Sequence, residues 1–86
     1  MSIELYQRVA VTIDIPAEYL QRGDVATVVE KLSPSLETHN EPGYALEIFN
    51  AVGETTAVVF VPVSAVRSLT AGEMLHIRPS DTALAK

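Results

Sequence analysis

A glycine–aspartate turn feeding a β-branched run constrains this chain more than any other feature. The stretch reads Leu20-Gln21-Arg22-Gly23-Asp24-Val25-Ala26-Thr27-Val28-Val29-Glu30. Gly23 tolerates the positive φ that a tight turn requires, and Asp24 can bond backbone amides just beside it. The run Val25 to about Leu32 then favours a strand over a helix, because β-branched side chains suit a pleated surface. Both faces of that strand are apolar or small, with Val25, Thr27 and Val29 on one and Ala26 and Val28 on the other. Alternation therefore leaves open which face is buried.

The remaining segments read as short strands gathered around this turn. Val9, Val11, Ile13 and Ile15 alternate with Arg8, Ala10, Thr12 and Asp14, the pattern of a half-buried strand. Pro16 to Leu20 is long enough for one helical turn, with proline early and glycine near the close. Residues 33–43, with two prolines, read as a loop. Tyr44 to Asn50 is a strand with Tyr44, Leu46 and Ile48 inward. A compact hairpin with Asn50 and Gly53 as turn formers leads into Thr55 to Val61. This fourth strand is apolar on both faces, so it is either covered on both sides or carries an exposed patch. Pro62, which lacks a donor, ends it.

Ser64 to Leu69 reads as one helical or 3₁₀ turn crossing to a fifth strand at Met74 to Arg78, with Leu75 and Ile77 inward. Capping-box spacing at Thr70 and Glu73 makes a short helix the rival there. Residues 80–86 read as a frayed tail beyond a single domain at 1–79. Together these features predict an all-β fold, a small five-stranded SH3-like barrel with one short helical turn before the last strand. An OB-fold is the alternative, though it usually takes a longer chain and a helix between strands.

Composition narrows the function. Six Lys plus Arg stand against eleven Asp plus Glu, a formal charge of −5. Nucleic-acid binding rests on clustered cations that displace counterions, and here they are few and scattered. With no cysteine there is no disulfide framework or thiolate metal site. The start of the chain lacks a signal-peptide pattern and no apolar run spans a bilayer, which points to a cytoplasmic protein. The chain is 48% hydrophobic and 20% charged. A domain this small buries only about 60% of its unfolded surface, so part of the apolar content is expected outside, at an interface.

Several residues carry a family resemblance. They are Tyr6-x-Arg8-Val9-Ala10-Val11-Thr12, then Asp14-x-Pro16, then Leu20-x-Arg22-Gly23-Asp24-Val25-Ala26-Thr27-Val28-Val29. The likeness continues through Leu46 to Asn50, Gly53-Glu54, and Val61 to Val66. The chain resembles short bacterial proteins grouped as domain of unknown function 4926, over roughly residues 5 to 78. That resemblance implies an SH3-like barrel and no function. Ala26 stands where many relatives carry a second glycine, which implies a less strained backbone at that point. A more distant likeness to KOW-type barrels supports the fold; the Lys/Arg-rich turn of those RNA-binding modules is missing here.

Chemistry-bearing constellations are sparse. Arg22-Gly23-Asp24 spells an integrin-binding tripeptide, but a structural turn is the stronger reading. Glu37, His39, Glu41 and His76 could hold zinc or manganese only on a poorly preorganised loop, so no metal or other cofactor is expected. No nucleophile–base pair and no phosphate-cradling glycine loop is present, and an enzyme is not expected. The expected role is protein–protein interaction, with self-association or with another protein, and without membrane or nucleic acid. An acidic antitoxin- or immunity-like partner is one form of it. Tyr19, Val58 and Phe60 are the candidate interface residues. A KOW-like nucleic-acid binder using Arg8, Arg22, Lys31 and Arg67 is the alternative.

Overall fold

The β-branched run after Asp24 becomes the strand that joins the two halves of the sheet. In the computed structural model, which describes residues 3–34 and 40–80, β2 spans Val25–Leu32. Its first half pairs antiparallel with β1 (Arg8–Val11), matching Arg8 to Thr27, Val9 to Ala26 and Ala10 to Val25. Its second half pairs with β3 (Gly43–Phe49), from Thr27 opposite Glu47 to Leu32 opposite Gly43. A register shift between Val28 and Glu30 leaves Val29 as an extra residue. Such a bulge bends the strand and sharpens its twist, so β2 can serve two differently oriented partners.

The rest follows by simple neighbour pairing. β4 (Thr55–Pro62) runs antiparallel to β3, and β5 (Val66–Ser68) runs antiparallel to β1. The order is β4-β3-β2-β1-β5. One 3₁₀ turn, Pro16–Glu18, elaborates the β1–β2 connection, and a second, Val63–Ala65, precedes β5. The fold is thus the expected five-stranded all-β sheet with one short turn before the last strand. It is not closed by hydrogen bonds, since β4 and β5 each ladder to one neighbour only.

Burial settles the face left open in β2. Ala26 and Val28 are inside, with Val9, Val11, Leu46, Val59 and Val61, and Leu46 and Val28 have no exposed surface. Tyr44 and Ile48 pack against this core at its margin. Cross-strand pairs explain the set, because Tyr44–Val61, Leu46–Val59 and Val9–Ala26 each share a face. Ala45 and Ala10 are buried on the other face, flanked by larger cross-strand neighbours, Phe60 for one and Arg67 for the other.

The hairpin between β3 and β4 forms as its residues dictate. Asn50 Oδ1 accepts from the amides of Val52 (3.1 Å) and Glu54 (2.9 Å), while Gly53 takes φ +88°. Two expectations need correction. Ile13 is 54% exposed rather than inward, because the chain leaves the ladder after Val11 and Thr12 bonds to Ala65 instead. Met74 to Arg78 is not the fifth strand, and Leu75 and Ile77 are exposed. The free edge of β1 is taken by Val66–Ser68, which arrives first in sequence. Thr70 and Glu73 do make the capping contact, Thr70 N to Glu73 Oε1 at 2.7 Å, but no helix follows. Expectations for Glu37, His39 and the tail beyond Ser80 fall outside the described residues. Among the described residues no helix is long and apolar enough to cross a membrane.

Leu46 is fully buried with Val28 and Val59 as its cross-strand neighbours, so Leu46→Ala should lower unfolding stability by about 2–5 kcal/mol in urea titration. Val52→Ala, at an 80% exposed hairpin position, should stay within about 0.5 kcal/mol of wild type.

Candidate functional site

Two surfaces stand out, and the first is the Gly23–Asp24 turn. Gly23 takes φ +94° and donates to Val11 O (2.7 Å), while Val11 donates back to Asp24 O (2.8 Å). Asp14 Oδ1 accepts from Arg22 N at 2.8 Å, which ties the outgoing loop to the turn. Asp24 Oδ2 accepts from Gln21 N at 2.8 Å. The same carboxylate is gripped by Arg78, Nε to Oδ1 at 2.8 Å and Nη2 to Oδ2 at 2.6 Å. Arg78 Nη2 also reaches Tyr19 O at 3.2 Å.

This arrangement explains both the tripeptide and its charge. Burial works against the charged form of Asp24. The Arg78 hydrogen bonds, the Gln21 amide and the Arg78 charge together outweigh it and hold the carboxyl below its ordinary range. An aspartate so engaged is a turn-building group, as its sequence context suggests. Tyr19 caps the first 3₁₀ turn with φ +58°, a conformation that costs a non-glycine residue about 1–2 kcal/mol. With Asp14, Pro16, Leu20 and Gln21 it lines an open depression of about 400 Å³. Tyr19 therefore belongs with the turn rather than with β4.

The second surface is β4. It is an edge strand of eight residues without a charged side chain. Val59 and Val61 point into the core, whereas Val58 and Phe60 are 53% and 50% exposed. An edge strand offers a row of backbone donors and acceptors to any extended chain, and this one adds an apolar outer face. The two-faced pattern in the sequence thus resolves, from Val58 to Val61, into alternating exposed and buried residues.

Two cations of the nucleic-acid alternative are paired with carboxylates. Lys31 approaches Glu4 at 3.9 Å, and Arg67 is forked onto Glu73. Arg67 bonds Glu73 Oε1 at 3.0 Å through Nη1 and Oε2 through Nη2, and this contact, with the Thr70 amide, lowers the Glu73 pKa to about 2. Arg22 and Arg67 share the rim of a smaller depression with Val11, Thr12 and Gly23. Glu41, considered for a metal, accepts from Ser64 N (3.1 Å) and Ser64 Oγ (3.2 Å). Among the described residues no three His, Cys, Asp or Glu side chains gather as a metal site. Arg78 and Asp14 escaped the sequence reading. Arg78 lies 54 residues from Asp24, a separation no local pattern bridges.

The chain belongs to a family described as domain of unknown function (DUF4926), whose model matches residues 5–68. That match ends at the last residue of β5. No curated protein and no solved structure matches the chain.

The Asp24–Arg78 pair leaves a pH signature. Its folded pKa lies below the unfolded value, so its stabilisation is complete above about pH 5 and is lost as pH falls through the folded value. Arg78→Ala should cost about 1–3 kcal/mol at pH 7. Asp24→Asn should cost a similar amount and flatten the acid limb of stability below about pH 5. Urea titrations across that range give both readings, and an unchanged acid limb would show that the pair is not its source.

Proposed function

We propose that this member of the DUF4926 family is a small protein-interaction module that associates through β4. The observation that carries this reading is an eight-residue, charge-free edge strand with Val58 and Phe60 half-exposed on its outer face. Soluble proteins ordinarily blunt such edges with lysines, charges or internal prolines. β4 has only Pro62, at its end. An uncapped apolar edge is a natural place for a partner strand, which gains main-chain hydrogen bonds from the ladder and selectivity from alternate side chains.

The acidic balance of the chain adds a second element. Its charge of −5 lies outside β4, so a basic protein would be drawn to the loops and turn faces. An antitoxin- or immunity-like role, masking a basic nucleic-acid-binding surface, is the form of this reading that charge supports. The same charge disfavours a polyanion as partner.

Native mass spectrometry of the protein isolated at low salt tests the reading. Phe60→Asp and Val58→Asp should each weaken whatever association the wild-type chain shows by 10-fold or more, on the order of 1.4 kcal/mol. Because both positions are exposed, the melting temperature should move little. Associations unchanged by both substitutions would show that β4 is not the interface.

A further inference from the structure

The segment after β5 carries a strand pattern without a strand partner. Its ends are pinned, Glu73 by Arg67 and Arg78 by Asp24. Between the pins Met74, Leu75 and Ile77 are 91%, 63% and 84% exposed. Residues 74–77 enter no helix or turn and make no backbone–backbone hydrogen bond among the described residues. Exposing large apolar side chains on neighbouring positions is unfavourable unless something covers them.

The sheet holds the complementary feature. β4 has an unpaired edge, and its outer face leaves Val58 and Phe60 half-bare. We infer that residues 74–77 of one copy add as a strand to the β4 edge of a second copy, two reciprocal contacts making a homodimer. This rests on the reading of β4 as an interface and names its occupant. In the added strand Leu75 and Ile77 fall on one side, two residues apart, matching the spacing of Val58 and Phe60. Four residues extend about 13 Å, enough for a short ladder like that of β1.

Electrostatics allows a second copy at this edge. Two copies each carrying −5 repel wherever their charged surfaces approach. They meet without that penalty only through neutral strips. Thr55 to Pro62 has no charge, and Met74 to Ile77 carries no carboxylate, lysine or arginine. The charges that flank the segment, Glu73 and Arg78, are already neutralised within their own chain. A basic partner would be drawn to acidic surface instead. The two anchors also restrain the segment before association, which reduces the ordering cost of binding.

The arrangement is a contact between two different surfaces, and mixing variants tests that directly. The mass in solution is measured by light scattering for the full chain, for Phe60→Asp, and for the double variant Leu75→Asp/Ile77→Asp. Wild type should run at twice the 9.3 kDa chain mass. Each variant alone should run as a monomer, and an equimolar mixture should regain dimers held by the one intact contact. The tail substitutions lie outside the five strands, so they report on association even where Phe60→Asp perturbs the sheet. A tail variant that stays dimeric while Phe60→Asp is monomeric would overturn this inference and leave β4 as the interface, paired with itself. A monomeric wild type, or a mixture that stays monomeric, would also overturn it. Association retained by both Phe60→Asp and Val58→Asp would instead overturn the broader reading of β4.

Discussion

The structure depends on one strand serving two partners. β2 ladders to β1 through Val25, Ala26 and Thr27, and to β3 from Thr27 onward. Thr27 is the only residue matched in both registers, opposite Arg8 on one side and Glu47 on the other. Either half alone, β1 with β5 or β3 with β4, is a two-stranded ribbon of the kind that is marginal in water. Through β2 the halves share one core, and Ala26 and Val28 carry that core across the junction. The bulge at Val29 supplies the bend that lets a single strand do this.

The turn that launches β2 must therefore hold its register, since a one-residue slip would send Val28 to the solvent face. Three positions earlier or later in the chain secure it: Asp14 through the Arg22 amide, Val11 through its backbone bonds to Gly23 and Asp24, and Arg78 on the Asp24 carboxylate. The last comes from beyond the region matched by the family, residues 5–68. The turn is thus built from local residues and reinforced by a side chain that the family match does not include. Asp24 kept charged by Arg78 gives the reinforcement its electrostatic character and its sensitivity to acid.

Much of this was legible in the sequence, for identifiable reasons. Leu46 and Ile48 alternate cleanly, and Asn50 and Gly53 have turn chemistry that works locally, so the β3–β4 hairpin could be read directly. The 3₁₀ turn at Pro16–Glu18 likewise follows from proline at its first position. Where the sequence misled, the deciding factor was competition for a partner. Met74 to Arg78 alternates better than Val66-Arg67-Ser68, yet β1 has one free edge and the nearer segment occupies it. Alternation states what a segment would do with a neighbour, and says nothing about whether a neighbour is left. Val58 and Phe60 were legible as interface candidates because the run from Ala57 to Val61, apolar on both faces, has more apolar surface than one core can take. Tyr19 is exposed as well, but it sits with the turn and shares no element with β4.

The same competition explains why the open sheet matters. A closed ring would consume both edges; here β5 is short, and β4 is long, neutral and apolar. Three residues of β5 expose few backbone groups, so that edge is a weak template. β4 exposes more than twice as many along a strand whose inner face is already locked by Val59 and Val61. A strand fixed on one face and bare on the other requires no rearrangement to accept a neighbour, and only the incoming chain must be ordered. The cost of association then falls mainly on the occupant, which favours one restrained in advance. The stretch between Glu73 and Arg78 meets that condition, since ion pairs on both sides hold it while its apolar side chains stay in water.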